Sequence, residues 1–304
     1  MRIKIPFQAG VTQLVECDLA KVDVAGSNPV SRSMHLNTFQ AAESDSPLDP
    51  VASARDIDSA RETSAREIVD SAVREFGDSL AILTSFQREG LVVLDLVLGV
   101  APRTPVLTID TGRLPASTYD VISEVEKRYD TRVELIVPDA AEVDSMLSLY
   151  GRDLFVESVA NRMLCCQVRK VRPLERYMTR NPGISALFLG LRRGQSDTRA
   201  NVDFIDRTTE PIRINAIADW SADDVLCYTL DNSLPEHPLY AAGYTSIGCD
   251  PCTRAVSSGE GERAGRWWWE SETDKECGIH FTPDGRAERE VDVLLRDVLA
   301  HTKR

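Results

Sequence analysis

No stretch of the 304 residues approaches the roughly 18 to 20 consecutive apolar positions that a membrane-crossing helix needs. The richest apolar run, Leu91–Leu98, is short and is broken by Asp95. A membrane span is therefore not expected, and the N-terminus also lacks the charged, apolar and small-residue zones of a secretory signal. The cytoplasm is the expected compartment. Positive charge is in short supply as well: 35 Lys and Arg stand against 48 Asp and Glu, a formal net charge of −13. That balance excludes broad electrostatic attraction to nucleic acid or to an anionic membrane, so an anionic ligand would have to be held by a local cluster of cations. Internal repeats are absent. Persistent helical or strand periodicity is absent from residues 1–33, a segment that resembles the peptide made when a structural-RNA gene is translated. The expectation is that Met34 is the true start and that residues 1–33, Cys17 included, carry no function. Residues 34–64, rich in Ala, Ser, Asp and Pro, read as a flexible lead-in.

What the chain does have is a strand–helix alternation. Ile68, Val69, Ala72, Val73 and Phe76 share one helical face that stops at Gly77. A strand over 80–84 runs into Ser85-Phe86-Gln87 and an apolar helix. Val106–Ile109 is a second strand, ending at Asp110-Thr111-Gly112 before a helix with Val121, Ile122, Val125 and Tyr129 on one side. Val133–Val137 and Ala186–Gly190 are further strands. This order implies parallel crossovers and an α/β fold with a doubly wound, mostly parallel sheet flanked by helices. Ligands in such sheets bind beyond the carboxyl ends of the strands, where Ser85, Asp110 and Gly190-Leu191-Arg192-Arg193 fall. Residues 151–180 read as helical, Ser221 as an N-cap for a helix to about Asn232, and 286–300 as a charged C-terminal helix.

Seven cysteines in a cytoplasmic chain point to thiols, metal ligands and nucleophiles more than to structural disulfides. Cys249-x-x-Cys252 alone is ambiguous among zinc, a redox dithiol and an iron–sulfur site. The adjacent Cys165-Cys166 is its natural complement. Neighbouring side chains diverge, so both can reach one centre only if that centre is large or the backbone bends; a four-iron, four-sulfur (4Fe-4S) cluster suits this better than a single tetrahedral zinc, with unliganded thiols a third reading. Cys277 stands apart. Lys170, Arg263, Arg266 and His280 are candidates to stabilise its thiolate, although Cys277 alone would read as a surface cysteine and His280 alone as a structural histidine. Cys227, among Val225, Leu226 and Leu230, reads as a small buried apolar residue. Thr84–Gln87, between a strand and a helix, could cradle an anion, but it lacks the Gly-Gly and Asp-Ser expected of a loop that grips ATP pyrophosphate. Arg192, Arg193 and Arg199 form a basic loop whose bland reading is a solvated surface. Trp267-Trp268-Trp269 reads as packing over the cysteine region or as a stacking platform.

Taken in order, Ser85-Phe-Gln, Asp110-Thr-Gly-Arg, Cys165-Cys-Gln-Val-Arg-Lys170, Gly190-Leu-Arg-Arg-Gly-Gln-Ser, the run Tyr244–Thr253, Arg263-x-x-Arg266 and Glu276-Cys-Gly-Ile-His280 resemble the assimilatory adenylylsulfate (APS) reductase branch of the phosphoadenylylsulfate (PAPS) reductase family, across about residues 66–281. The resemblance implies an adenine-nucleotide-hydrolase-like, Rossmann-like sheet, with a catalytic domain over 65–281 and a C-terminal helical tail over 282–304. It implies a 4Fe-4S cluster on Cys165, Cys166, Cys249 and Cys252, since the double cysteine with Cys-x-x-Cys marks the branch that favours APS. Cys277 would attack the sulfuryl sulfur of APS and expel AMP, and thioredoxin or a similar dithiol would release sulfite from the Cys277 S-sulfonate. Lys170, Arg263, Arg266 and His280 would hold the phosphosulfate, Ser85 would line the nucleotide site, and Arg193 would assist. The implied place is cytoplasmic assimilatory sulfate reduction, toward cysteine biosynthesis; a homo-oligomer is left open. Two features depart from the pattern. The chain continues past His280, and Gly194 stands where a bulkier polar residue is expected. The competing readings are PAPS reduction by the same chemistry, a non-catalytic iron–sulfur nucleotide-binding module, and an ATP-dependent sulfur-transfer enzyme, which the missing pyrophosphate-loop residues disfavour.

Overall fold

Short runs of apolar, largely branched residues build the centre of a six-stranded sheet, because their side chains pack on both faces of a pleated surface. The structure is a computed structural model and describes residues 50–270 and 285–303. β1 (Leu80–Leu83), β2 (Val106–Ile109), β3 (Val133–Ile136), β4 (Ala186–Phe188), β5 (Ile205–Asp206) and β6 (Ile212–Ile214) run in the order β3-β2-β1-β4-β6-β5. All neighbours pair parallel except β5 with β6. The doubly wound, mostly parallel sheet expected from the sequence is present. Its order reverses between β1 and β4, with β2 on one side of β1 and β4 on the other, and that switch point opens a crevice at the carboxyl ends.

The helices are α1 (Pro50–Phe76), α2 (Arg88–Val100), α3 (Ala116–Tyr129), α4 (Ala140–Tyr150), α5 (Val159–Cys166), α6 (Arg172–Arg180), α7 (Ala222–Asp231) and α8 (Gly285–Thr302). α1 begins at Pro50, ahead of the face read from Ile68, Val69 and Ala72. The chain divides into two compact units at Ile57–Asp58, and the sheet and every cysteine described belong to the second. Its main core joins α1, α2, α3 and α7 to the sheet through Val69, Leu94, Val106, Val125 and Ile214. A separate core gathers Met146, Phe155, Leu164, four cysteines, Trp267 and Val298. Here α8 packs back on α4 and α5, and Thr302 Oγ1 donates to Ser145 Oγ at 2.9 Å. The chain beyond His280 thus includes a helix docked on the cysteine side. Ser221 caps α7 as expected, its Oγ accepting from Asp224 N at 3.0 Å. Among the described residues no helix is long and apolar enough to cross a membrane.

Candidate active site

Parallel strands point their carboxyl ends at one rim, so the loops after β1, β2 and β4 converge. They enclose a cavity of about 180 Å³, lined from β1 by Leu83, Thr84 and Ser85, from β2 by Ile109 and Thr111, and from β4 by Leu189 and Gly190. The segment Ser246–Cys249 and the cations Lys170, Arg199, Arg263 and Arg266 complete the wall. In the β1–α2 loop Phe86 adopts φ 57°, the left-handed region that is costly for a residue with a Cβ. Its ring is buried in the main core and its N–H donates to Thr84 Oγ1 at 3.1 Å, which hold it there. Gln87 then reaches across the cavity mouth: its Oε1 accepts from Ile247 N at 2.7 Å and its Nε2 donates to Ser85 Oγ at 2.9 Å. No periodicity in the sequence announces this clasp.

Two carboxylates stand in the cavity wall. Glu89, in the first turn of α2, and Glu262 both line it, and both accept from the buried Arg192 guanidinium, at 2.8 and 2.9 Å. Burial, reinforced by Glu89 and opposed by Arg192, pushes the Glu262 carboxyl above the ordinary carboxylate range. The start of α2, read from sequence as an anion cradle, therefore already faces carboxylates.

Cations line the cavity as well. Arg266 is 5% exposed; its Nη1 donates to Ile247 O at 3.2 Å, its guanidinium lies 4.7 Å from the Trp267 ring, and its buried Nε has no hydrogen-bond partner. A Cβ at Gly248 would come within 2.2 Å of Arg266 Nη2, so only glycine lets the guanidinium lie flat against this backbone. Lys170 lines the same region.

A second, smaller cavity lies beside the first. Cys165, Cys166, Cys249 and Cys252 all line it, with Arg113, Arg162, Arg169, Lys170, Phe155 and Trp267. The adjacent cysteines end α5, and the chain passes at once into a π-helical turn, Gln167–Val171. A π turn changes the angular spacing of side chains and is frequent at functional sites; it is the backbone departure that the double cysteine calls for. Cys249 Sγ lies 3.3 Å from Thr111 Oγ1, and Arg169 Nη1 donates to Thr111 O at 2.7 Å. Burial pushes the Cys252 thiol up to about 12, with Cys249 adding to the rise and Lys170 and Arg266 opposing it; burial raises Cys165 too. Trp267 is 1% exposed, between Arg162 at 4.6 Å and Arg266 at 4.7 Å, and Arg162 Nε donates to Glu270 at 2.7 Å. Of the tryptophan run, Trp267 walls the cysteine cavity and Trp269 packs on Phe155 at 5.7 Å, while Trp268 is exposed. Packing over the cysteine region is what two of the three do.

Lys170 and Cys249 line both cavities. Of the site residues read from sequence, Ser85, Lys170, Arg263 and Arg266 come together at the strand-end cavity, and the four cysteines at its neighbour. Arg193 does not join them. Its Nε donates to Val202 O at 2.9 Å and its guanidinium stacks on Phe204 at 4.8 Å; Arg199 lines the cavity instead. Arg193, at the start of the short helical turn Arg193–Gln195, is among the lining residues of neither cavity. Cys227 is half-buried on α7 and disulfide-bonded, not the small buried apolar residue expected. Cys277 and His280 lie outside the described residues, as does Cys17. Sequence reading assigned Glu89 and Glu262 no role, and took Gln87, Thr111 and Arg113 only as members of motifs. Nothing local signalled Glu89 and Glu262 as partners of Arg192, whose run reads as a solvated basic loop.

Comparison with known proteins follows the same lines. The phosphoadenosine phosphosulfate reductase domain matches residues 79–255. A protein of Allochromatium vinosum named adenosine 5'-phosphosulfate reductase is 41% identical over 222 residues, covering 72% of this chain and 85% of that one. One of the same name from Rhizobium tropici is 44% identical over 181 residues, 59% of this chain and 99% of the relative. Among solved structures, a phosphoadenylyl-sulfate (PAPS) reductase from Candida auris in a phosphate complex superposes with a TM-score of 0.53 at 26% identity, over 70% of this chain and 100% of that one. A Candida glabrata FMN adenylyltransferase, at 15% identity and a TM-score of 0.50, shares the fold alone. The chain belongs to the phosphoadenosine phosphosulfate reductase family and, within it, is similar over most of its length to proteins named adenosine 5'-phosphosulfate reductase.

Proposed function

We propose that this protein reduces adenylylsulfate to sulfite and AMP, with a thioredoxin-like dithiol as the electron source, in assimilatory sulfate reduction in the cytoplasm. The observation that carries the reading is that Lys170 and Cys249 line both the strand-end cavity and the cysteine cavity, which sets a cation and a thiol at the junction of a nucleotide-sized crevice and a soft-metal site. Names borne by relatives at 41% and 44% identity support APS as the substrate.

The four cysteines fit a 4Fe-4S cluster. The fit rests on all four lining one cavity; among the described residues no group of three or more His, Cys, Asp or Glu side chains that could hold a metal ion is found. Arg113, Arg169 and Lys170 line the same cavity and would balance the charge of four thiolates. When bound, such a cluster supplies a compact, buried anionic body beside Lys170. Electrons for the reaction need not pass through it.

In the proposed chemistry Lys170, Arg263 and Arg266 hold the phosphosulfate and spread the charge that develops on the leaving phosphate. The Cys277 thiolate attacks the sulfuryl sulfur. An S–S bond forms, the S–O bond breaks, and AMP leaves with the oxygen and the electron pair. One thiolate of the dithiol then attacks Cys277 Sγ and releases sulfite; its second thiol closes the disulfide and restores the Cys277 thiol. The dithiol loses two electrons and the sulfur gains two. His280 is proposed to assist in holding the phosphosulfate.

The test is sulfite release from APS and from PAPS with reduced thioredoxin, using iron-loaded wild type and Cys277→Ser. Release from APS by wild type alone, with iron retained in the variant, is the expected result. No release from either substrate by iron-loaded wild type would refute the assignment; preference for PAPS would favour the substrate in the name of the Candida auris relative.

A further inference from the structure

Trp267 stands at the joint of the two cavities and belongs to only one of them. It lines the cysteine cavity and not the strand-end cavity, whereas its neighbour Arg266 lines the strand-end cavity and not the cysteine cavity. Successive side chains on extended backbone point to opposite sides, so a residue does not ordinarily rest on the one next to it. Trp267 breaks that alternation. It adopts φ 43°, a left-handed conformation that is an outlier for so bulky a side chain, and unusual backbone of this kind collects at ligand sites. Neighbouring backbone holds it there: Thr253 and Arg266 form an antiparallel bridge, and Trp267 N donates to Cys252 O at 3.1 Å. The Arg266 guanidinium thereby lies over the ring of the next residue, 4.7 Å from its centroid.

Arg162 and Arg266 both lie over that ring, yet their charges are balanced differently. Arg162 donates to the carboxylate of Glu270, and both side chains are almost fully buried. Arg266 donates from Nη1 to Ile247 O and Ser246 Oγ, both neutral, and among the described residues no carboxylate forms an ion pair with it. A buried charge without a counter-ion is costly, and the negative face of an indole offsets part of that cost. The face attracts the cation without engaging its N–H donors as an oxygen acceptor would. That is the state of Arg266, whose buried Nε has no hydrogen-bond partner. Its donors are left for an anion in the strand-end cavity. Resting on the adenylylsulfate reading above, we infer that Trp267 is a positioning residue that acts through Arg266, holding the guanidinium where it meets the phosphosulfate. Arg263 lies over the same ring at 5.9 Å, close to the limit of such attraction, and is held less closely.

The test weakens the face of the ring while nearly keeping its shape. Tryptophans carrying one to four ring fluorines are installed at position 267 of the full-length, iron-loaded protein, since each fluorine draws electron density from the face. Ring volume is almost preserved, so folding is not put at stake as it would be by Trp267→Leu. The dissociation constant of AMP, measured by calorimetry without turnover, is expected to rise stepwise to about tenfold across the series, equivalent to roughly 1.4 kcal/mol. Iron content should stay constant and the KM for APS should rise in step. A double-mutant cycle locates the effect: after Arg266→Gln the same series should leave AMP affinity level to within about twofold, because the group that the ring holds is gone. A level series with Arg266 in place, a series just as steep after Arg266→Gln, or AMP affinity that falls only together with iron content would each overturn the inference. So would failure to bind AMP. Sulfite release absent from iron-loaded wild type, with the graded AMP response intact, would instead sink the reaction and leave Trp267 as the holder of Arg266.

Discussion

The two cavities are neighbours built by different rules. The strand-end cavity follows from topology: parallel strands with a switch point between β1 and β4 put loop backbone, helix starts and small residues at one rim whatever the chemistry. Its walls carry both signs of charge, and it draws on several separate segments between Leu83 and Arg266. The cysteine cavity meets the sheet only through the loop after β2, which supplies Arg113. It is enclosed by α5 and its π turn, by Cys249–Cys252, and by Phe155 and Trp267, over a separate core onto which α8 docks. Its polar wall residues other than the thiols are all cationic. Under the proposed function the strand-end crevice takes the nucleotide and the cysteine module serves its reaction, and the two are joined, as a graft, at the residues that line both, Lys170 and Cys249. Changes confined to the module, to the graft or to the crevice should therefore separate.

The largest effect is expected in the module. Cys252→Ala removes one of four buried sulfurs that line the cavity, and burial raises the Cys165 thiol among those that remain. Iron and labile sulfide should be lost from anaerobically prepared protein and sulfite formation should fall below detection, while calorimetry still registers AMP binding at the other cavity. Full turnover by the iron-free variant would show that the module is dispensable. At the graft, Lys170→Gln removes a charge shared by both cavities. Sulfite formation should fall by about 10²- to 10³-fold, the range for deleting one preorganised group that meets developing charge, with iron content unchanged; an effect below threefold would detach Lys170 from the chemistry.

The same contrast decides what the sequence made legible. The crevice was readable because short, continuous apolar runs such as Leu80–Leu83 and Val106–Ile109, alternating with helices, specify strands buried on both faces, and loops after such strands carry ligands. β5 and β6 escaped because two or three residues, among them Asp206 and Arg213, are too short and too polar to show a period. Ionic residues were harder. Arg192 and Arg193 are neighbours of one type, yet one is buried between two glutamates and the other stacks outward on Phe204; the difference lies in partners 70 and 103 residues away, which no local pattern contains. The module was readable by cysteine count and by family resemblance, but its cationic lining by Arg113, Arg162 and Arg169 was not. Arg113 follows β2 whereas Arg162 and Arg169 lie on α5 and its π turn, two stretches that meet only in the folded chain.

A smaller effect should sharpen the boundary between graft and crevice. Gly248 precedes Cys249, but the three atoms nearest a Cβ placed there all belong to Arg266, at 2.2, 2.4 and 2.8 Å. The guanidinium would have to leave its place against Trp267 and Ile247 O, while no cysteine sulfur is among those atoms. Gly248→Ala should raise the KM for APS by about tenfold through the displaced cation, at an overpacking cost of about 1–3 kcal/mol in stability. Iron content should match wild type. Loss of iron would mean that the Gly248 backbone serves the cysteines more than the arginine.

The smallest effect belongs to the crevice alone and tests whether its frame titrates independently of the module. His237 is buried; Leu239 N donates to its Nδ1 at 3.3 Å, so Nε2 carries the proton of the neutral ring and donates to Thr118 Oγ1 at 3.1 Å, on a residue that lines the crevice. Burial lowers the His237 pKa from its ordinary value of 6.5. The unfolded chain therefore takes up a proton that the folded chain refuses. The stabilisation is complete above about pH 6.5 and is lost as pH falls from there through the depressed folded value. Tm should fall on acidification below about pH 6.5, and AMP binding should weaken in parallel because Thr118 loses its anchor, while iron release should not follow that same titration. His237→Asn should flatten the Tm profile in this window. A profile as steep in the variant as in wild type would assign the acid lability to other groups and remove His237 from the crevice's frame.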